Sequence, residues 1–528
     1  MVKVSPSKLR SCILFSAVIL TGSIFSSCGR LKRGNDVYPQ IQDSSIEKGK
    51  SLAMVYCKSC HEFPDPSLLN MGTWEESVLP NMGPRLGIFN FNFKEYPNER
   101  RDPFLDSNYY PSKPVITQQE WQNIIDYYLA MSPEQLPAHR KTPIKMGLAN
   151  FKVIAPTLRY GPPTISYVKI DETVKPHSIF ASDAGFRKIF HFDNNLNLLD
   201  SVTSNGPIPD MEFQNDSILI TNAGKLNPNN GKFGKAEYFE RDKNGKFLID
   251  TTFIFDSLSR PVQITSVDLN NDKRTDYLVC EFGYLKGYLS WMENKGGGKF
   301  ERHVLSSLPG AIKAYVNDYN HDGLPDVWVL FARAPEGIFL FTNKGNGKFD
   351  QQQLLQFPPI YGSSYFELDD FNNDGHPDIL YTCGDNGDIS RVLKPYHGIY
   401  IFMNDGSNHF EQKYFFPMNG CYKAMARDFD GDGDLDIAAI SFFADYAHEP
   451  EEGFVYLENN SDFDFQPYSF EEGKFGRWLT MDVGDLDGDG KPDIVLGNFS
   501  KAPSITAGTY TWVDGPPIIV LKNVSTKR

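Results

Sequence analysis

A nine-residue acidic pattern constrains what this chain can fold into. Asp-x-Asp/Asn-x-Asp-Gly-x-x-Asp, followed each time by a β-branched strand, recurs five times in its second half. The first copy places Asp268, Asn270, Asp272 and Asp276 at positions 1, 3, 5 and 9, with Lys273 where the others have glycine. The next two place Asp318, Asn320, Asp322 and Asp326, then Asp370, Asn372, Asp374 and Asp378. The last two place Asp428, Asp430, Asp432 and Asp436, then Asp485, Asp487, Asp489 and Asp493. Successive copies start 50, 52, 58 and 57 residues apart. A period near fifty predicts the radially repeated sheets of a β-propeller.

The units also close alike. Trp291 to Asn294 and Phe300, Phe341 to Asn343 and Phe349, and Phe402 to Asn404 and Phe410 end in the same way. One blade reads as strand, acidic loop, strand, strand, turn, strand. Two plain units without the acidic signature precede the first loop, over residues 165–204 and 208–255. Five loops and two plain units predict seven blades. The last unit stops at a third strand, Ile518 to Asn523, and Asn150 to Ile154 has the pattern of the missing fourth. That segment is expected to complete the seventh blade, leaving no sheet edge open.

Oxygen ligands at positions 1, 3, 5 and 9, a carbonyl at 7 and a tight-turn glycine at 6 suit Ca²⁺. The alternative for any one loop is an Asp/Gly-rich turn without an ion, and five in register argue against it. Up to five ions are expected, with the weakest site at the Asp268 loop because Lys273 adds a positive charge. Five divalent ions would offset much of the formal net charge of -15. The repeats resemble the FG-GAP (VCBS-type) repeats of integrin-α-like propellers, with Phe282-Gly283 fitting the name and the GAP half not recognisable. The resemblance implies ions that stiffen a loop between two strands and take no part in catalysis. It names no ligand.

The second constraint is Cys57-Lys58-Ser59-Cys60-His61, the attachment pattern for c-type haem. On a short helical turn both sulfurs face one porphyrin edge, and the histidine follows as proximal iron ligand. A zinc site would want a second Cys/His pair nearby, and a thioredoxin-like dithiol would want a βαβ context. Neither is present. Residues 46–132 read as a small all-α domain. A helix runs from Ile46 into the motif with Ser44 or Ser45 as cap. A short helix from Trp74, capped by Thr73, stops at Pro80, and a third spans Gln118 to Met131. This stretch resembles a class I cytochrome c. The resemblance implies a methionine as second axial ligand, and Met82 is the choice, with Met71 and Met131 read as packing. Residues 88–113 are an insertion without an assigned role. Pro64 or Pro66 is expected to offer a carbonyl to the His61 ring N–H.

Residues 1–28 read as an export signal: Lys3, Lys8 and Arg10 precede an apolar run from Cys12 to Phe25. Phe25-Ser26-Ser27-Cys28 resembles a bacterial lipobox, which implies a lipid on Cys28. The alternative is an ordinary signal peptide cut near the same point. Residues 29–45 read as a tether, 133–149 as a linker and 150–528 as the propeller. Cys280, Cys383 and Cys421 read as isolated buried thiols, with a Cys383–Cys421 bridge as the other possibility.

These features are expected to make a cell-envelope electron-transfer lipoprotein of the outer membrane, facing periplasm or surface. A redox partner protein or ligand would dock on the propeller. One alternative is a polysaccharide- or protein-binding adhesion lipoprotein with accessory haem. Another is a propeller oxidoreductase that passes electrons to the haem. No nucleophile–base pair or propeller cofactor signature is evident, so a carrier is favoured over a stand-alone enzyme. The acidic balance argues against nucleic acid. His177, Asp183, Arg187 and His397 read as turn or surface residues rather than pocket lining. Asp385-Asn386-Gly387-Asp388, in an extended loop, is the best candidate for a ligand loop.

Overall fold

Ile46, Gly49 and Ala53 recur at helical spacing, and they are the buried stripe of the first helix. The computed structural model describes residues 32–138, 142–214, 217–241, 247–333, 335–501 and 512–526. The expected export signal and the expected lipid site Cys28 lie outside the described residues. Among the described residues, four α-helices occupy the N-terminal part: α1 (Asp43–Tyr56), α2 (Met71–Thr73), α3 (Leu79–Met82) and α4 (Gln118–Met131). α1 crosses α4 at Gly49, where a Cβ would sit 1.9 Å from the Asn123 carbonyl oxygen. α4 starts on a capping box: the Thr117 hydroxyl accepts from the Glu120 N–H, and the Glu120 carboxylate accepts from the Thr117 N–H at 2.7 Å.

Five local expectations need correction. α1 begins at Asp43, and its N-cap, Gln42, makes no side-chain bond. The Ser45 hydroxyl instead donates to Asn123 at 2.9 Å, tying α1 to α4. Pro80 does not stop the second helix. A π-helical turn, Trp74–Val78, resets the register, so that Pro80 falls in the first turn of α3, where an N–H is not required. Asn70, not Thr73, caps that run, accepting from the Thr73 N–H at 3.1 Å. A two-stranded hairpin, Asn90–Phe91 with Lys94–Glu95, also interrupts the all-α pattern. Finally, the tether is pinned from residue 33 on. Asn35 is buried and donates to the Leu129 and Ser132 carbonyls at 2.5 and 2.6 Å.

The rest is a seven-bladed propeller of antiparallel four-stranded sheets. The second strands are its apolar spine: Val327 to Phe331 of blade four is buried at every residue, as is Asp378–Cys383 of blade five. Packing on both faces explains their near-continuous apolar runs. The first strand of each blade lies against the first strand of the next, and Trp478–Gly484 of blade seven returns to Ile165–Asp171 of blade one. Phe151–Ile154 pairs antiparallel with Val520 to Asn523 as the fourth strand of blade seven, so the ring closes as predicted. The linker contributes as well: Lys145–Met146 adds a parallel fifth strand to blade six beside Tyr468 and Ser469.

Every seam between neighbouring first strands is also clamped by a polar group. Tyr167 donates to the Met211 carbonyl at 3.2 Å, and Glu212 accepts from the Ser266 N–H at 2.8 Å. Gln263 accepts from the Ala314 N–H at 2.7 Å, and Tyr315 donates to the Phe366 carbonyl at 3.2 Å. Glu367 accepts from the Ala426 N–H at 2.9 Å, and Lys423 donates to the Met481 carbonyl at 2.8 Å. Asp482 accepts from the Ile170 N–H at 2.9 Å, closing the circle.

Residues 33–528 form one compact unit. The 88–113 insertion straps the helical part to the propeller. Phe104 meets Phe233 edge-on at 5.3 Å, Asp102 accepts from Asn230 at 2.7 Å, and Asp106 pairs with Lys286. Further along, the Tyr396 hydroxyl donates to the Leu68 carbonyl at 3.0 Å. All these propeller residues lie on connections between second and third strands. In an antiparallel blade those connections emerge opposite the acidic loops, which join first to second strands. The helical part and the acidic loops therefore occupy opposite faces of the ring.

Candidate functional site

Cys57 directly follows α1 as its C-cap, and its N–H still bonds the Ala53 carbonyl. The helix thus delivers the motif, and the turn that follows leaves Cys60 exposed and His61 half-buried. Both cysteines are free thiols. Burial pushes the Cys57 thiol up to about 11, the opposite of the lowered value a redox dithiol needs. The His61 Nδ1 lies 2.7 Å from the Glu62 carbonyl oxygen, which places the proton on Nδ1 and leaves the Nε2 lone pair open. Burial also lowers the His61 pKa, favouring the neutral ring. The expected proline partners are engaged elsewhere: Pro64 accepts from Tyr128 and Pro66 from the Trp74 indole, each at 2.9 Å. Glu62 has the role assigned to them. The donor set of two thiols and one tautomer-fixed imidazole fits covalent haem. Met82 is half-buried at the end of α3, on the helical run that Pro80 was expected to stop. A cavity of about 850 Å³ between α1, α4 and the hairpin is lined by Lys48, Leu79, Tyr96 and Asp126. Cys57, Cys60, His61 and Met82 are not among its lining residues.

The five acidic loops share one architecture. The position-1 carboxylate accepts from the position-6 N–H in each, at 2.7 Å for Asp268, 2.9 Å for Asp318, 2.8 Å for Asp370, 3.1 Å for Asp428 and 3.0 Å for Asp485. Position 6 is left-handed throughout, from φ +66° at Lys273 to +103° at Gly433. Glycine meets that conformation without strain, and Lys273 does not. Arg274 also pairs with Asp272 in that loop. Asp428, Asp430 and Asp432 gather carboxylate oxygens within 4.8 Å of one another, as do Asp485, Asp487 and Asp489. That donor set fits a hard divalent cation.

The position-9 carboxylates do something the sequence pattern does not reveal. Asp276, Asp326, Asp378, Asp436 and Asp493 are all buried. Each accepts from the backbone N–H of a third-strand asparagine: Asn294 at 2.7 Å, Asn343 at 2.7 Å, Asn404 at 2.8 Å, Asn459 at 2.8 Å and Asn523 at 2.7 Å. Asn343 and Asn523 also reach across a seam, donating to the carbonyls of Leu269 at 2.8 Å and Phe429 at 2.7 Å in the preceding blade. The recurring asparagine at the end of each third strand was the available signal. Burial pushes Asp436 up to about 7, and Asp326 and Asp493 to about 6.

The remaining candidates separate. Asp183 is fully buried, accepting from the Thr164, Gly185 and Phe186 N–H groups and the Tyr160 hydroxyl, so it organises a hairpin. His177 and His397 are buried too, and Arg187 alone is the exposed turn residue expected. In the blade-five loop, Asn386 is buried and accepts from Lys394 at 2.6 Å, while Asp388 is exposed. Cys280, Cys383 and Cys421 are buried free thiols, without the bridge.

The chain carries FG-GAP-like repeats: the profile of that description matches residues 268–329, 318–381 and 428–496. Integrin alpha-4 of Xenopus laevis is 25% identical over 183 residues. The match covers 32% of this chain, and the chain spans 17% of that relative's length. Among solved structures, the N-terminal domain of Nup159 aligns with 72% of this chain and 97% of its own, at 12% identity and a TM-score of 0.41. Saccharomyces cerevisiae Sqt1 aligns with 70% of this chain and 98% of its own, at 8% identity and a TM-score of 0.43.

Proposed function

We propose that this is a cell-envelope electron-transfer protein with one covalently bound c-type haem. In this reading a calcium-stabilised propeller carries the haem and docks a redox partner or ligand. The observation that carries it is the Cys57, Cys60 and His61 arrangement, with the His61 Nδ1 committed to the Glu62 carbonyl. Cys57 and Cys60 would form the thioethers, His61 Nε2 would be the proximal ligand and Met82 the distal one. When bound, the haem supplies one-electron oxidation and reduction. The chain contributes a neutral, oriented imidazole and a covalent anchor at the end of α1. The basic, apolar N-terminal segment and Cys28 support export and lipid attachment. Haem attachment to such a motif also belongs outside the cytoplasm. The purified exported protein is expected to show the reduced bands of a low-spin haem and a one-electron redox titration. A high-spin, peroxide-reactive haem would move the reading to a propeller oxidoreductase. Protein without haem would leave a binding lipoprotein, which the FG-GAP-like repeats favour as the second reading.

In this proposal the acidic loops hold calcium, up to five ions, most weakly at the Asp268 loop with its Lys273 and Arg274. Saturating a site a hundredfold above its Kd stabilises the fold by about 2.7 kcal/mol. The effect depends on pH. Asp326, Asp436 and Asp493 have raised folded-state values, so metal-free folded protein holds protons that the unfolded chain has released. Metal-free stability therefore rises as pH falls from about 7 towards the ordinary carboxylate range, while calcium must compete with those protons. The gap in melting temperature between calcium-loaded and chelated protein is expected to be widest near pH 8 and to narrow below about 6. No gap at either pH would remove calcium from the proposal.

A further inference from the structure

A cleft of about 540 Å³ opens where the helical run faces the blade-five loop. Asn70, Thr73 and Glu76 line one wall, and Asp388 and Arg391 line the other. Two contacts brace the walls: Ser77 donates to the Ile389 carbonyl at 2.5 Å, and Tyr396 donates to that of Leu68 at 3.0 Å. Glu76 on the helical wall and Arg391 on the other carry opposite charges, yet they do not close on each other. Among the described residues the Arg391 guanidinium donates only to the Gly387 carbonyl of its own loop, at 3.0 and 3.3 Å. Glu76 makes no side-chain hydrogen bond among the described residues. Behind the cleft, Arg333 donates to Asp388 at 3.0 Å, and the Arg333 Nε is buried without an acceptor. Donors and acceptors of both kinds are thus held apart by a ligand-sized gap.

We propose that this cleft binds a saccharide of one or two rings, gripped by the helical part and the propeller together. A hydroxyl is donor and acceptor at once, so a polyhydroxylated ring can satisfy Arg391 and Asp388 on one wall and Glu76 on the other. The volume falls within the range of small-molecule sites. The lining has no aromatic face, which disfavours a nucleobase or other planar ring. The site stands independently of haem and calcium, because none of their proposed ligands lines it. It assigns the blade-five loop the recognition role for which the sequence singled it out, through Asp388 and Arg391 rather than the buried Asn386.

The test is titration calorimetry on the full exported chain with maltose, cellobiose and lactose at millimolar concentrations. At least one is expected to bind, and Arg391→Ala and Glu76→Gln are each expected to weaken that sugar about tenfold, the size of a lost charge-assisted hydrogen bond. Both side chains are exposed, and unchanged melting temperatures would confirm folded variants. Thr73→Val is the reserve on the helical wall if Glu76→Gln is destabilised. Binding of none of the three sugars overturns the proposal. So does full affinity in the variants of either wall, since a site on one wall alone is not the one inferred.

Discussion

Exported with Cys57 and Cys60 both changed to alanine, the protein is expected to carry no covalent haem. Haem staining after denaturing electrophoresis should vanish, because no other cysteine pair has the required spacing beside a histidine. The fold should survive. Cys60 is exposed, and Cys57, which caps α1 and bonds the Tyr128 hydroxyl of α4, gives up only that one contact. The calcium-dependent melting of the propeller should therefore match that of the parent within a few degrees. Each single variant should keep one thioether and stain more weakly. Undiminished staining of the double variant would end the haem assignment, whereas lost staining with a lost propeller transition would mean that the substitutions had unfolded the chain. The two readouts separate these outcomes.

Asp436→Ala is expected to cost about 4 kcal/mol in stability at pH 8 with calcium chelated. Three buried donors lose their acceptor: the Asn459 N–H at 2.8 Å, the Tyr456 hydroxyl at 2.7 Å and the Phe429 N–H at 3.3 Å. Each orphaned donor costs about 1–3 kcal/mol, and relief of the buried charge returns part of the total. Chelation keeps ion loss out of the comparison. Asp434→Ala, two residues earlier in the same loop, should stay within about 0.5 kcal/mol, since Asp434 accepts no such bonds among the described residues. Denaturant unfolding measures both. Equal effects would mean that the carboxylate acts through the loop rather than through the third strand.

What could be read from the sequence follows the range over which each signal acts. The blade count and the closure by Phe151–Ile154 were visible because a repeat shows its own omissions: a unit one strand short points to the strand that completes it. The α4 capping box was legible in Thr117 and Glu120, three residues apart, yet the pattern was assigned to Thr73 and Glu76, where Asn70 is the cap. Pro80 misled because a proline stops a helix only in the register assumed, and the π-turn changed that register. Asp183 looked like a turn residue and proved buried, since its partners include Thr164 and Tyr160, about twenty residues away. The 88–113 strap has no periodicity, and its purpose is visible only against Phe233, Asn230 and Lys286. Position 9 was counted among the candidate calcium ligands by chemistry alone. The asparagine each of these carboxylates also holds lies 17 to 30 residues further on.

The seventh blade has one strand before residue 155 and three after residue 477. During synthesis the helical part and six blades can take shape while Phe151–Ile154 waits with no neighbour along one edge. The circle becomes whole only when Ile518–Asn523 arrives to meet it. A truncation that removes this last strand would not yield a smaller ring with six sound blades. It would leave a horseshoe with two sticky ends, a template for pairing with other chains.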